Sequence, residues 1–197
     1  MSEFFLSGWF LLALVGGVLV WGVVTFNRLV ALRQRADEGW SGIDVQLKRR
    51  SNIIPNLIET VRGYMDHEKG ILEKVTQMRA RCVAAQGEAP AERVAAEREM
   101  SSALMQFFVT AENYPDLKAS SNFINLQDEL SELENHIQMA RRYYNGTVRD
   151  LNTSVQSFPG NLVATKFGFT TRQYYEIDDP ASRDLPDVNF SGSGQAK

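Results

Sequence analysis

The chain opens on an uncharged run, FFLSGWFLLALVGGVLVWGVVTF, residues 4–26, bounded by Phe4 and Phe26. At ~1.5 Å per residue, these 23 positions make a helix about 34 Å long, enough to cross a bilayer core of about 30 Å. Trp9 and Trp21 then fall towards the two interfaces. A cleaved leader would need a basic start, a shorter apolar run and a small-residue cleavage site. Here Glu3 stands at the start, the run is too long, and no A-x-A pattern precedes the first charges. The pattern predicts a transmembrane anchor over residues 1–27. Ala13 and Gly17 form a small-xxx-small pair that would suit helix pairing in the membrane, a weak signal on its own.

Behind the span the apolar positions settle into steps of three and four: Leu29, Leu32, Ala36, Trp40, Ile43, Leu47, then Arg50, Ile54, Leu57, Val61 and Tyr64. That is the period of a helix packed lengthwise on other helices. The phase is the same on both sides of Pro55, whereas a loop would normally reset it. A continuous helix kinked at Pro55 is expected, with Asn52 and Asn56 offering partners to the backbone that the proline frees. The alternative is a true break, with Asn52 capping a new helix. Gly63 and Gly70 bracket a joint, and a second helix carries Ile71, Val75, Met78 and Cys82 to about Gln86. After the turn GEAP, a third helix is expected over residues 91–113, with Val94, Ser101, Leu104, Phe108 and Ala111 on one face. Tyr114-Pro115-Asp116 ends it and starts the fourth. There Phe123, Leu126, Leu130, Leu133, Ile137, Ala140, Tyr144, Val148, Leu151, Val155 and Phe158 hold the stripe until Pro159-Gly160. Short connections predict an all-α fold: a transmembrane helix followed by an antiparallel up-and-down four-helix bundle over residues 28–160, with long, kinked helices.

Past Gly160 the period changes. NLVATKFG reads as one short helix, capped by Asn161 and stopped by Gly168, and TTRQYYEI as a candidate for another. Residues 161–180 are expected to dock on the bundle through Phe167, Phe169, Tyr174 and Tyr175, with lipid headgroups as the rival contact for these aromatics. Residues 181–197, rich in Pro, Ser, Gly and Asp, read as a short, irregular, flexible tail.

Composition adds bounds. At 197 residues, 44% hydrophobic and 23% charged, the chain can bury a core. A net charge of −3 gives no reason to expect nucleic acid. Six basic residues against three acidic ones lie between Arg28 and Arg50. Arg28, Arg33 and Arg35 beside the span predict an N-terminus outside and a cytoplasmic bundle. The lone Cys82 excludes an internal disulfide and reads as core packing.

Candidate chemistry is sparse. The histidines, His67 and His136, lack the Glu-x-x-His spacing of a di-metal bundle and the H-E-x-x-H of a zinc protease. Glu129, Glu132 and His136 lie within two turns and are the one set a metal could bridge, though the apolar stripe occupies a different face. No phosphate-cradling glycine loop or nucleophile elbow occurs. Asn145-Gly-Thr147 and Asn152-Thr-Ser154 match glycosylation sequons, which carry no meaning on a cytoplasmic helix. Polar residues at or beside the stripes carry more weight: Arg50, Asn52, Asn56, Asn113, Asn125, Arg141 and Asn145. These suit a structural network fixing helix register, or a partner-binding groove at the bundle end.

Four stretches together resemble the LemA family of bacterial membrane proteins: RRSNIIPNLIETV (residues 49–61), AENYPDLKAS (111–120), LENHIQMARRYYN (133–145) and SFPGNLVATKFGF (157–169). The resemblance runs over about residues 18–177. It implies a single-span anchor with its N-terminus outside, a cytoplasmic antiparallel four-helix bundle, no established catalytic activity, and loose links to membrane organisation and to membrane metalloproteases. The matching positions, Arg50, Asn52, Pro55, Asn56, Asn113, Tyr114, Pro115, Leu117, Glu134, Arg141, Tyr144 and Asn145, look fold-defining or partner-facing, not catalytic. The expectation is a non-enzymatic inner-membrane scaffold or adaptor without a cofactor, partnered by the bilayer, further copies of itself and a membrane protein. The alternatives are a membrane-shaping protein acting through lipid contact and a metal-dependent enzyme using Glu129, Glu132 and His136.

Overall fold

In a computed structural model of the protein, residues 2–88 and 90–175 are described, with side chains from residue 9 onward. The described residues are helical or irregular, with no strand among them. The helices are α1 (Ser2–Val61), α2 (Lys69–Ala84), α3 (Pro90–Ala111), α4 (Pro115–Lys118), α5 (Ser121–Gln156) and α6 (Gly160–Lys166). The expected flexible tail, and the end of TTRQYYEI, lie outside the described residues.

The helix α1 runs unbroken through Pro55. Proline carries no N–H, so the Ser51 carbonyl four residues earlier loses its intrahelical donor. The replacement comes from α2: Arg79 donates its Nε–H to the Ser51 carbonyl at 2.8 Å. The asparagines expected to serve the freed backbone, Asn52 and Asn56, are exposed, as is Pro55 itself. A long guanidinium stem from a neighbouring helix reaches where short amides on the outer face do not.

Burial along α1 changes abruptly. From Trp9 to Val24 the apolar side chains are largely bare; Leu29 is 1% exposed. From there Leu32, Ala36, Ile43, Leu47, Arg50, Ile54, Leu57 and Val61 are buried at the expected spacing. Tyr64, expected to continue the stripe, is exposed, and Met65 is buried in its place. The helix ends at Val61, so the turn that follows, not the helical period, decides which residue points inward.

The partner of α1 over most of its packed length is α5. Their contacts climb one helix as they descend the other, Arg50 with Glu134 and Gly39 with Tyr144, and just past the end of α5 Thr25 lies beside Gly160 of α6. At Gly39 the backbones come close enough that a Cβ would stand 3.1 Å from the Tyr144 Cα. A side chain there would force the helices apart. The core has three parts. Far from the bare apolar part of α1, Leu57, Met65, Val75, Met100, Phe107, Leu117, Phe123 and Leu130 join α1 to α5 through α2, α3 and α4. In the middle, Ile43, Leu47, Val94, Ile137, Val148 and Leu151 pack together with Tyr175. Nearest the bare apolar part of α1, Leu29, Val163, Ala164 and Phe169 pack with Phe26 and Val30.

Several elements differ from their expected form. Phe107, not Phe108, is the fully buried aromatic of α3, and Ser101 is only half-buried. Between α3 and α5 the one-turn helix α4 opens on Pro115 and ends before Ser120. Proline at the first helical position favours that turn, but the following residues restart a separate helix. The stripe of α5 does not include Phe158, which lies beyond the end of the helix and is 80% exposed. Pro159, not Asn161, precedes α6, whose stop at Gly168 uses a φ of +72°. Residues 169–175 form no helix.

Candidate functional site

Two polar assemblies stand out inside the helices. The first is a charged hub. Arg50 of α1 and Glu97 of α3 are 3% and 2% exposed, and Arg50 Nη2 donates to Glu97 Oε2 at 2.6 Å. Arg50 Nη1 donates to Glu134 Oε2 of α5 at 2.9 Å and to the Ser101 hydroxyl at 3.1 Å. Arg93, one turn before Glu97 and equally buried, lies 3.4 Å from Glu97 Oε1. Its Nη2 donates to Asp44 Oδ1 at 3.1 Å, and its Nη1 donates to the Cys82 carbonyl. One buried carboxylate thus sits between two buried guanidiniums, with Asp44 and Glu134 at the edges. Charges this deep persist only when paired and hydrogen-bonded. The hub ties α1, α2, α3 and α5 to one register. Cys82 lies against it, its thiol pushed up to about 12 by burial first and by Glu97 second. A thiol so placed stays protonated at neutral pH and is no nucleophile.

The second assembly holds residues 169–175 along α5. Asn145 Nδ2 donates to the Tyr175 carbonyl at 3.1 Å, and the Tyr175 N–H donates to Asn145 Oδ1 at 2.8 Å. One heptad on, Asn152 repeats the arrangement with Arg172, at 2.9 and 2.8 Å. Each side-chain amide thus mimics a strand neighbour for an extended backbone. The Tyr144 hydroxyl donates to the Gln173 carbonyl at 3.0 Å, Arg172 pairs with Asp37 of α1 at 2.6 Å, and the Arg141 guanidinium lies 4.7 Å from the centre of the Tyr175 ring. The two sequon asparagines are therefore backbone clamps. This explains why TTRQYY is not helical: its polar backbone finds partners on α5 instead. Of the four aromatics expected to dock, Phe169 and Tyr175 are buried; Phe167 and Tyr174 are exposed.

Removing both clamps, as Asn145→Ala with Asn152→Ala, is expected to free this strap. The loss should be about 1–3 kcal/mol per clamp, read as faster amide exchange at residues 169–175 while α5 stays protected. Alkali should loosen the same strap. Burial raises the Tyr175 phenol above its ordinary 10.0, with Arg141 drawing it partway back. Its contribution is therefore complete below pH 10.0 and is lost as the pH rises through the higher folded value.

The structure divides the residues expected to matter. Arg50 and Glu134 meet in the hub; Arg141, Tyr144 and Asn145 meet at the strap. Tyr114 stands apart and donates its hydroxyl to Glu68 Oε1 at 3.0 Å. Asn52, Pro55, Asn56, Asn113, Pro115 and Asn125 are exposed and scattered. Glu129, Glu132 and His136 share a polar surface pocket of about 330 Å³ with Arg49 and Asn52, and His136 Nε2 lies 3.9 Å from Glu132 Oε1. Among the described residues no cluster of His, Cys, Asp and Glu is placed to hold a metal. Sequence reasoning missed Arg93, Glu97, Asp44 and Asn152.

The family model of LemA matches residues 39–190, from within α1 to beyond the strap. The chain belongs to the LemA family. The matched range takes in both polar assemblies and begins after the bare apolar part of α1. Among curated relatives, Protein LemA of Metamycoplasma hominis is 29% identical over 142 residues, 71% of this chain and 64% of that one. Magnetosome protein MamQ 2 of Paramagnetospirillum magneticum is 20% identical over 178 residues, and Magnetosome protein MamQ of Magnetospirillum gryphiswaldense 19% over 177; each match covers 78% of this chain and 65% of the relative. The chain thus spans just under two thirds of the length of these relatives. For the LemA protein described here, an apolar N-terminal helix and kinship with this family agree on a membrane protein.

Proposed function

We propose that this LemA protein is a non-enzymatic scaffold, held by one span in the bacterial inner membrane with its N-terminus outside. In this reading α1, α2, α3 and α5 form an antiparallel up-and-down four-helix bundle in the cytoplasm. Its surface serves self-association and docking of a membrane-protein partner. The observation that carries the reading is the continuity of α1, one helix that is bare and apolar from Trp9 to Val24 and a buried core element from Leu29 to Val61. Anchor and bundle share a backbone, so the bundle is held against the bilayer face. Arg28, Arg33 and Arg35 beside the span favour the cytoplasmic side for the bundle. The buried charges of the hub are paired with opposite charges, Glu97 with Arg50 and Arg93, which suits a structural role. Confinement to two dimensions raises the effective concentration of copies, so modest helix contacts suffice for assembly.

The test is crosslinking of the full chain in native membranes, followed by blue-native electrophoresis of detergent extracts. Discrete species larger than one chain are expected. A strict monomer under both treatments sinks the self-association, and stoichiometric metal in the purified protein would favour an enzyme at Glu129, Glu132 and His136 instead.

A further inference from the structure

We propose that the turn joining α5 to α6 is a second membrane contact, in which Phe158, Leu162 and Phe167 sink into the same leaflet that α1 leaves. The inference rests on the reading of residues 4–26 as a bilayer span and adds a second insertion to it.

The first support is height. A Cβ on Gly160, the first residue of α6, would lie 4.0 Å from the Thr25 methyl group, and Thr25 belongs to the uncharged run that ends at Phe26. The Phe26 ring meets Phe167 edge-on at 4.9 Å and Phe169 at 5.6 Å. The α5–α6 turn and both ends of α6 are thereby tied to the last turn of the span. Whatever depth Thr25 and Phe26 occupy, this turn occupies as well.

The second support is exposure. Val163, Ala164 and Phe169 face the core, yet beside the exposed Thr165 and Lys166 the same short segment also turns apolar side chains outward: Phe158 is 80% exposed, and Leu162 and Phe167 60% each. Three large apolar side chains on one short segment form a patch that water disfavours. Phe158 shares a pocket with Trp21 and Phe167 meets Phe26, both at the C-terminal end of the bare apolar run of α1, so one apolar medium would cover patch and run alike.

The third support is the polar rim. A pocket of about 250 Å³ beside the turn is lined by Trp21, Thr25, Arg28, Ser154, Ser157 and Phe158, among others. A cation and hydroxyls directly next to an apolar patch match the order of chemistry from headgroup to acyl chain, and Trp is suited to that boundary. Lys166 in the last turn of α6 adds a second cation near this level, which favours anionic lipid.

The experiment places an environment-sensitive NBD label on single introduced cysteines of the full chain in vesicles of phosphatidylethanolamine and phosphatidylglycerol. The sites are Phe158→Cys and Leu162→Cys, with Leu14→Cys in the span and Met139→Cys on the exposed side of α5 as references. Cys82 is buried and stays unlabelled in the folded protein; unchanged helix content by circular dichroism verifies folding of each variant. Doxyl-labelled lipid should quench positions 158 and 162 at least about twofold more than position 139, with aqueous iodide showing the reverse order. If position 14 is quenched by lipid while 158 and 162 are reached by iodide, the second contact is overturned and the anchor stands. Shielding of 158 and 162 from both quenchers also overturns it, since protein would then cover the patch. Failure of lipid to quench position 14 removes the span itself.

Discussion

Glu97→Leu should cost the fold about 3–5 kcal/mol, because it strands two buried guanidiniums at once. Arg50 would keep no buried carboxylate, only Glu134, whose side chain is 41% exposed, with the neutral Ser101 hydroxyl and the Glu97 backbone carbonyl, and Arg93 would keep Asp44 and the Cys82 carbonyl. Urea unfolding of the full chain in mild detergent, followed by helix signal, reads the loss as a lower midpoint at an unchanged slope. Two companions sharpen the result. Glu134→Ala should cost about 1 kcal/mol or less, since that partner is wet. Arg50→Met combined with Glu97→Leu should recover only part of the loss, because it removes one stranded guanidinium and leaves Arg93 without its buried carboxylate. A single Glu97→Leu variant within about 1 kcal/mol of the parent would mean that water reaches the hub and that the pairing does not set the register of the helices.

Phe107→Ala should be the other severe substitution, at about 3–5 kcal/mol. The ring is fully buried and sits 5.2 Å from Phe108 and 6.5 Å from Phe123, so it bridges α3 to the start of α5. Its loss opens a cavity that three helices cannot close without shifting. Phe108→Ala, at a half-buried position, should cost less than half as much. Equal losses at the two positions would reassign the centre of this part of the core.

The contrast between these aromatics shows what could be read from the chain alone. The stripes of α1 and α5 were legible because their apolar residues recur at steps of three and four over many turns and little else competes for the inner face. In α3 the apolar residues are crowded. Phe107-Phe108 and Ala103-Leu104 each offer two phases, and the wrong neighbour is easily chosen. The correct phase runs Arg93, Glu97, Met100, Leu104, Phe107, Ala111, all buried. Its first two members are charged, and an Arg and a Glu four apart look like a solvated surface pair. The signal was present, since both charges keep step with the apolar stripe, but single-helix periodicity cannot tell a paired buried charge from an exposed one. That takes Arg50, 47 residues away on another helix. The same holds for Arg79, whose service to the Ser51 carbonyl depends on where α2 folds back. The strap was illegible for a related reason. Nothing in TTRQYY marks it as extended; its conformation is dictated by Asn145 and Asn152, one heptad apart on α5, and these asparagines look like unused glycosylation sequons. Of the expected site residues, those on or next to a stripe came together, Arg50 and Glu134 in the hub and Arg141, Tyr144 and Asn145 at the strap, whereas Asn52, Pro55, Asn56, Asn113 and Pro115 stayed on the outside.

The unbroken course of α1 also sets a stand-off distance. From Phe26 to Val61 the helix advances about 52 Å at ~1.5 Å per residue. With residues 4–26 upright in a bilayer, the far tip near Met65 and Leu117 would ride at up to about that altitude on one continuous helix. Tilting the N-terminal segment would carry the tip with it, so in the assembly proposed above neighbouring tips would splay or converge as the sheet beneath them curves.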